Sequence, residues 1–209
     1  MNFITFEGID GSGKSTQIDL AAKFLTGKGF EVVKTRDPGG TDLGCKIREI
    51  LLNYDGDVAP YCELFLYLAD RAQHVQEKIM PAIKQGKVVL CDRYVDSSMA
   101  YQGYARGLGA EQILKLNNIV TKSLMPDLTF IFDINTEISM QRIGDKKDRL
   151  ESEAEDFHKK VRDGYLELAK KFPDRIILID ANKKIEEIHQ DVMKILKNKN
   201  FPEQQIVEQ

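Results

Sequence analysis

The chain is 209 residues long, 42% hydrophobic and 30% charged, with 15 Gly and 6 Pro, a profile that excludes collagen-like, disordered and coiled-coil chains. A length of this order suits one domain, whose folding buries roughly 70% of the unfolded surface without a disulfide or metal to hold it. Thirty Lys and Arg against 33 Asp and Glu leave a net charge of −3 with no long block of one sign. That balance excludes a nucleic-acid coat protein and a polybasic membrane binder, so an anionic ligand must meet a local site.

The N-terminal residues, from Met1 to Glu7, lack the basic region and long apolar stretch of a signal peptide. No run approaches the ~18 apolar residues of a membrane span. Short, continuous, β-branched or aromatic runs lie at 3–6, 32–33, 88–91, 128–132 and 176–179. Runs of that kind predict strands covered on both faces, as in a parallel sheet. Helix-patterned segments lie between them, at 15–25, 64–84, 110–124, 154–171 and 184–196. The β-α alternation predicts an α/β fold, an open parallel sheet of about five strands flanked by helices. There is no internal repeat, so 1–198 reads as one domain and 199–209 as a polar tail.

Two stretches break the pattern. Residues 92–109 mix Tyr, Ser, Gln and Gly with little periodicity, and 144–152 is almost wholly charged. Long polar loops inside a compact α/β domain usually carry function. Cys45, Cys62 and Cys91 are odd in number and show no C-x-x-C spacing. They predict reduced, mostly buried thiols in a cytoplasmic protein.

The string Gly8-Ile9-Asp10-Gly11-Ser12-Gly13-Lys14-Ser15 matches G-x-x-x-x-G-K-[ST], followed by Thr16. It follows the first strand and opens onto a helix, which is the context that turns a Gly-rich string into a phosphate site. Glycines let backbone N–H groups turn onto an anion, and the helix N-terminus adds partial positive charge. Lys14 is placed to reach the β- and γ-phosphates of a nucleoside triphosphate, and the Ser15 hydroxyl to ligate Mg²⁺. The run 88–91 ends in Asp92, a second candidate for the Mg²⁺ shell.

Phosphate loops serve GTPase switches, ATPases and small-molecule kinases. A GTPase is disfavoured: the nearest string to N-K-x-D is Asn182-Lys183-Lys184-Ile185, without the Asp. A motor needs more surface than this chain offers. A kinase for an anionic acceptor needs arginines, and Arg36 and Arg93 both follow strands on the side where open α/β sheets bind ligands.

The strings Phe6-Glu7-Gly8 through Thr16, Thr35-Arg36-Asp37-Pro38-Gly39-Gly40-Thr41, Asp92-Arg93-Tyr94 and Ala100-Tyr101-Gln102-Gly103 resemble the bacterial thymidylate kinase family. The similarity spans residues 2 to about 196. The resemblance implies phosphoryl transfer from ATP to dTMP in a homodimer, with a helix at 64–84 or 110–124 as the interface. Among its alternatives are another deoxynucleotide or deoxynucleoside kinase and a regulatory P-loop ATPase.

The resemblance also implies roles. Arg93 matches the clamp on the dTMP phosphate, with Arg36 and Arg48 nearby, and guanidinium suits phosphate bidentately. Asp10 matches a carboxylate shared by acceptor and metal, and Asp37 stands where Glu is commoner. Thymine recognition falls to Tyr67, Arg71, Ser98 and Gln102. Tyr67 and Arg71 share a helix face at i, i+4, with Phe65 as the rival stacking residue. Tyr101 matches a tyrosine beneath the sugar. The lid is expected at about 142–152. Because Gly11 stands where the eukaryotic type carries Arg, the transition-state cation is expected from Lys146, Lys147 or, preferred, Arg149.

Overall fold

A computed structural model describes residues 1–143 and 148–201. The lid residues Lys146 and Lys147 and tail residues 202–209 lie outside the described residues. Five strands, β1 (Phe3–Glu7), β2 (Val32–Arg36), β3 (Val88–Asp92), β4 (Leu128–Asp133) and β5 (Ile176–Asp180), form one sheet ordered β2-β3-β1-β4-β5. Every pairing is parallel, with Ile4 flanked by Leu90 and Leu128. Phe3, Ile4, Phe6, Val88 to Cys91 and Leu128 to Phe132 are all buried, which accounts for their unbroken apolar runs. The expectation of two covered faces fails at the edges: β2 is only partly buried, and Leu178 of β5 is exposed.

The helices are α1 (Lys14–Gly27), α2 (Asp42–Asn53), α3 (Pro60–His74), α4 (Met80–Lys84), α5 (Val95–Ser98), α6 (Ala110–Thr121), α7 (Thr136–Ile143), α8 (Glu155–Lys171) and α9 (Ile185–Lys197). Thr41 caps α2 by accepting from Gly44 N at 3.0 Å, and Pro60 opens α3, where no N–H is needed. The segment expected as one helix at 64–84 is α3 and α4 joined through a π-helical turn, Val75–Ile79. None of the described helices is long and apolar enough to cross a membrane.

The expected irregular loop at 92–109 is a correction. It holds α5 and a π-helical segment, Met99–Ala105, in which Arg106 N bonds Tyr101 O at 2.9 Å, five residues back. Wider π turns break the 3.6-residue period that marks a helix in sequence. The thiols need correction too: Cys45 and Cys62 are exposed, and only Cys91 is buried.

The chain leaves β1 for β2, beyond β3, and later leaves β3 for β4, on the other side of β1. The carboxyl ends of β1 and β3 therefore flank the topological switch point, where open α/β sheets bind ligands.

Candidate active site: two joined cavities

The turn after β1 wraps around its own lysine. Gly8 has φ +134, and a Cβ there would meet the Phe132 carbonyl oxygen at 2.6 Å. Gly11 has φ +72 and leaves 2.7 Å between such a Cβ and the Ser139 carbonyl oxygen, so no side chain fits where a cation would otherwise project. Lys14 is not solvated. Its Nζ donates to Gly8 O at 3.1 Å and Ile9 O at 3.0 Å, and the side chain is buried. Burial depresses the ammonium, and the neighbouring Arg93 adds to that. Among the described residues no side chain caps the N-terminus of α1, so its first N–H groups remain for an anion.

Lys14, Ser15, Thr16, Gly11 and Gly13 line a cavity together with Arg36, Arg48, Asp92 and Arg93. Ser15 Oγ donates to Asp92 Oδ2 at 3.2 Å, while Asp92 Oδ1 is buried with no partner among the described residues. A hydroxyl beside an orphaned carboxylate oxygen is a hard-oxygen donor set that suits Mg²⁺. A further cavity on the other side of the loop is lined by Gly11, Thr16, Arg142, Asn182 and Lys183. Arg142 donates to Gly11 O at 3.3 Å.

Arg93 stands at the junction with a second cavity. It is not a glycine, yet its φ is +68, a conformation that costs energy and is held by surrounding contacts. Its Nη2 donates to Asp10 Oδ1 at 2.7 Å, and its Nη1 to Tyr165 OH at 3.2 Å and Ser97 Oγ at 3.3 Å. Tyr101 OH is a further side-chain hydrogen-bond partner of Arg93, so among the described residues these four contacts still leave one of the five guanidinium N–H groups for a ligand. Burial alone would raise the Asp10 carboxyl, but Arg93 and then Lys14 outweigh it and hold the group below the usual carboxylate range.

Behind Arg93, buried Glu7 accepts from Tyr94 N at 2.7 Å, Ser97 Oγ at 2.6 Å and Tyr165 OH at 2.9 Å. Its burial, with the neighbouring Asp96 carboxylate, pushes it up to about 7.

The second cavity is lined by Tyr67, Arg71, Ser98, Tyr101 and Gln102, and shares Asp10, Asp37, Arg48 and Arg93 with the phosphate cavity. Tyr67 is on its wall, whereas Phe65 is exposed and stacks near Tyr61, 6.4 Å between centroids. Arg71 is fully buried. Its Nε and Nη2 grip Asp37 at 2.9 and 2.8 Å, and its Nη1 donates to Ser98 Oγ at 2.8 Å and Asn117 Oδ1 at 2.6 Å. Asp37 thus holds Arg71. Asp70 and His74 close off that pair from behind, with burial and Asp37 raising Asp70 to about 6. Tyr101 OH reaches Asp10 Oδ2 at 3.3 Å, and the Arg93 guanidinium lies 5.2 Å from the Tyr101 ring centre.

Arg149, expected as the transition-state cation, is held away from the phosphate loop in this structure. It lines neither phosphate-side cavity. Its Nη2 donates to buried Glu63 Oε2 at 2.7 Å and its Nε to Leu51 O at 2.8 Å, so in this arrangement it braces the acceptor side. Arg36 is exposed at the rim of the phosphate cavity, and Arg48 donates to Pro38 O at 3.1 Å.

Sequence reasoning assigned no role to Glu7, Glu63, Asn117 or Tyr165. Glu63 had a signal: it lies four residues before Tyr67 and eight before Arg71, a charged residue on the stripe that also carries Leu64 and Leu68.

A thymidylate kinase family profile matches residues 6–192. The chain is 49% identical over 196 residues to a thymidylate kinase of Thermoanaerobacter sp. (strain X514), covering 93% of this chain and 97% of that one. It is 50% identical over 193 residues to that of Caldanaerobacter subterraneus subsp. tengcongensis, covering 92% and 93%. The crystal structure of thymidylate kinase from Ehrlichia chaffeensis superposes with a TM-score of 0.78 at 38% identity, covering 94% of this chain and 98% of that one. The chain belongs to the thymidylate kinase family.

Proposed function

We propose that the joined cavities divide between them the reaction of this family, ATP-dependent phosphorylation of dTMP to dTDP. The observation that carries the division is the junction: Asp10, Asp37, Arg48 and Arg93 line both cavities, so a phosphate held there touches donor and acceptor sites together. The triphosphate lies on the loop from Gly8 to Thr16, with Lys14 against its terminal phosphates. Adenine lies beside Arg142, Asn182 and Lys183. Mg²⁺ is held by Ser15 and Asp92, and when bound it neutralises phosphate oxygens.

On the acceptor side, Arg93 takes the dTMP phosphate, assisted by Arg36 and Arg48. Thymine stacks on Tyr67 and meets Arg71, Ser98 and Gln102, and Tyr101 lies beneath the sugar. The attacking group is already an anionic phosphate oxygen, so no general base is required. Catalysis is then alignment of two phosphates plus neutralisation of charge on the moving group. Asp10 holds the Arg93 guanidinium in place for that task.

We further propose one kinase domain over 1–198, with a lid at about 142–152. A homodimer would form across α2, α3 and α6, where Leu43, Ile50, Tyr61, Phe65 and Ile119 are exposed. Exposed thiols at Cys45 and Cys62 fit the reducing cytoplasm. Sedimentation of the full chain checks the dimer, expected at twice the chain mass.

An acceptor screen tests the activity. Coupled ADP release should require dTMP and remain at background with thymidine or with no acceptor. Equal release without acceptor would make the protein an ATPase and sink the reading.

A further inference from the structure

Glu63 lies outside the base cavity but sets what one wall of it presents. Its carboxylate is fully buried and receives Gln102 Nε2 at 2.8 Å, Arg106 Nη2 at 3.2 Å and Nε at 3.3 Å, and Arg149 Nη2 at 2.7 Å. An ionised carboxylate only accepts hydrogen bonds. Burial opposes the charge, but Gln102 and the two arginines lower the group below its ordinary value and keep it ionised. Glu63 therefore admits the amide nitrogen of Gln102 and refuses the oxygen. The amide orientation, which bond lengths alone leave open, is dictated by this partner. Gln102 lines the base cavity, and no described residue donates to its Oε1.

The facing group is equally constrained. Arg71 spends Nε–H, both Nη1–H and one Nη2–H on Asp37, Ser98 and Asn117, leaving, among the described residues, one Nη2–H of its five donors. The cavity wall thus offers one donor at Arg71 and one acceptor at Gln102. A thymine edge offers the complement, the C4 carbonyl and the N3–H. A cytosine edge offers the reverse at both points, an amino group and a bare N3.

We propose that Glu63 is a specificity-determining positioning residue: by accepting from Gln102 Nε2 it turns the amide oxygen toward the base, selecting pyrimidines with a protonated N3. This rests on the proposed placement of thymine in the cavity. Glu63→Gln keeps the size of the side chain but accepts or donates equally, so the Gln102 amide is free to rotate.

The test compares kcat/KM for dTMP and dCMP in the full chain. With Glu63→Gln the dTMP:dCMP ratio should fall about tenfold, the order expected when one buried hydrogen bond loses its direction, through KM rather than kcat. Arg106→Met removes a cation from Glu63 but leaves the Gln102 bond, and should lower the melting temperature while keeping the ratio within about twofold. A ratio lowered equally by both variants would mean general loosening and overturn the proposal. If Gln102→Ala lowers the ratio but Glu63→Gln does not, the proposal falls and the base placement stands. If neither lowers it, the base placement falls as well. Should Glu63→Gln be too unstable to assay, Glu63→Gln with Arg106→Gln removes a stranded cation and carries the same expectation.

Discussion

At the wall of the base cavity, Arg71 and Asp37 are both fully buried, whereas at the junction Arg93 and Asp10 keep 15% and 30% of their side chains exposed. The bonding differs in the same direction. Arg71 meets Asp37 through two parallel bonds and spends its other nitrogen on Ser98 and Asn117. Arg93 meets Asp10 through one bond and spreads its others over Ser97 and Tyr165 at the cavity edge. A sealed bidentate pair is scaffold: breaking it strands a buried charge, at a cost of about 3–5 kcal/mol. An open, singly bonded pair is machinery, since phosphate oxygens can join it without exposing anything. The same chemistry thus serves shape in one cavity and reaction in the other.

The largest expected effect lies in the phosphate cavity. Lys14→Met should lower kcat by about 10³-fold, the loss expected when a cation on a transferring phosphoryl is removed. It also strands the Gly8 and Ile9 carbonyls that Lys14 Nζ bonds, so a modest fall in melting temperature accompanies it. A variant that still transfers at the wild-type rate would remove Lys14 from the chemistry.

The two pairs are separated next. Arg93→Met should cost about 10²-fold in kcat/KM for dTMP, the order of a misplaced reactant, with a smaller fall in urea midpoint than the sealed pair shows when broken. Asp37→Asn should do the reverse, costing about 3–5 kcal/mol of unfolding free energy through the uncompensated Arg71. If Asp37→Asn unfolds at the wild-type urea concentration, the distinction between scaffold and machinery collapses.

Legibility in the sequence follows the same division. The phosphate loop could be read because its function is local: glycines, a lysine and a helix start, all within one string. The central strands could be read because burial on both faces leaves an unbroken apolar run, and the edge strands misled because only a sheet order reveals an edge. The base cavity had to be taken from resemblance. Its wall comes from α3, α5 and the π segment, and Tyr101 and Gln102 sit where π turns erase helical periodicity. Residues that hold other residues, such as Glu7 behind Arg93 and Asn117 behind Arg71, carry no motif. Their roles exist only once distant segments meet. A string gives Arg149 its type and not its direction, and here that direction is toward Glu63 and Leu51.

Glu7 gives a pH signature to the machinery side. Its folded value near 7 lies above the ordinary 4.5, so between those values the folded protein holds a proton that the unfolded chain has released. Stability therefore falls as pH rises from about 4.5 to 7 and is flat above. Asp10, held low by Arg93, acts with the opposite sign and only below about pH 4, where its stabilisation is lost on acidification. Urea midpoints at pH 5 and pH 7 should differ in the wild type by more than in Glu7→Gln. Equal differences in the two proteins would place the proton elsewhere.

The smallest effect separates the two sides most finely. If Arg149 belongs to the acceptor scaffold, its loss leaves Glu63 with Gln102 and Arg106 still donating, so the carboxylate stays paired and the wall keeps its shape. Arg149→Met should then raise KM for dTMP about tenfold or less, roughly one hydrogen bond to a charged group, with kcat within about threefold. An interaction made only in the transition state behaves differently, lowering kcat and kcat/KM together with KM unchanged. A fall in kcat of about 10³-fold at constant KM would therefore mean that the guanidinium leaves Glu63 and Leu51 during turnover and closes over the phosphates, as an arginine finger does. In that case the residues after 147 move between the two regions, and the acceptor scaffold is fixed only at Arg71 and Asp37.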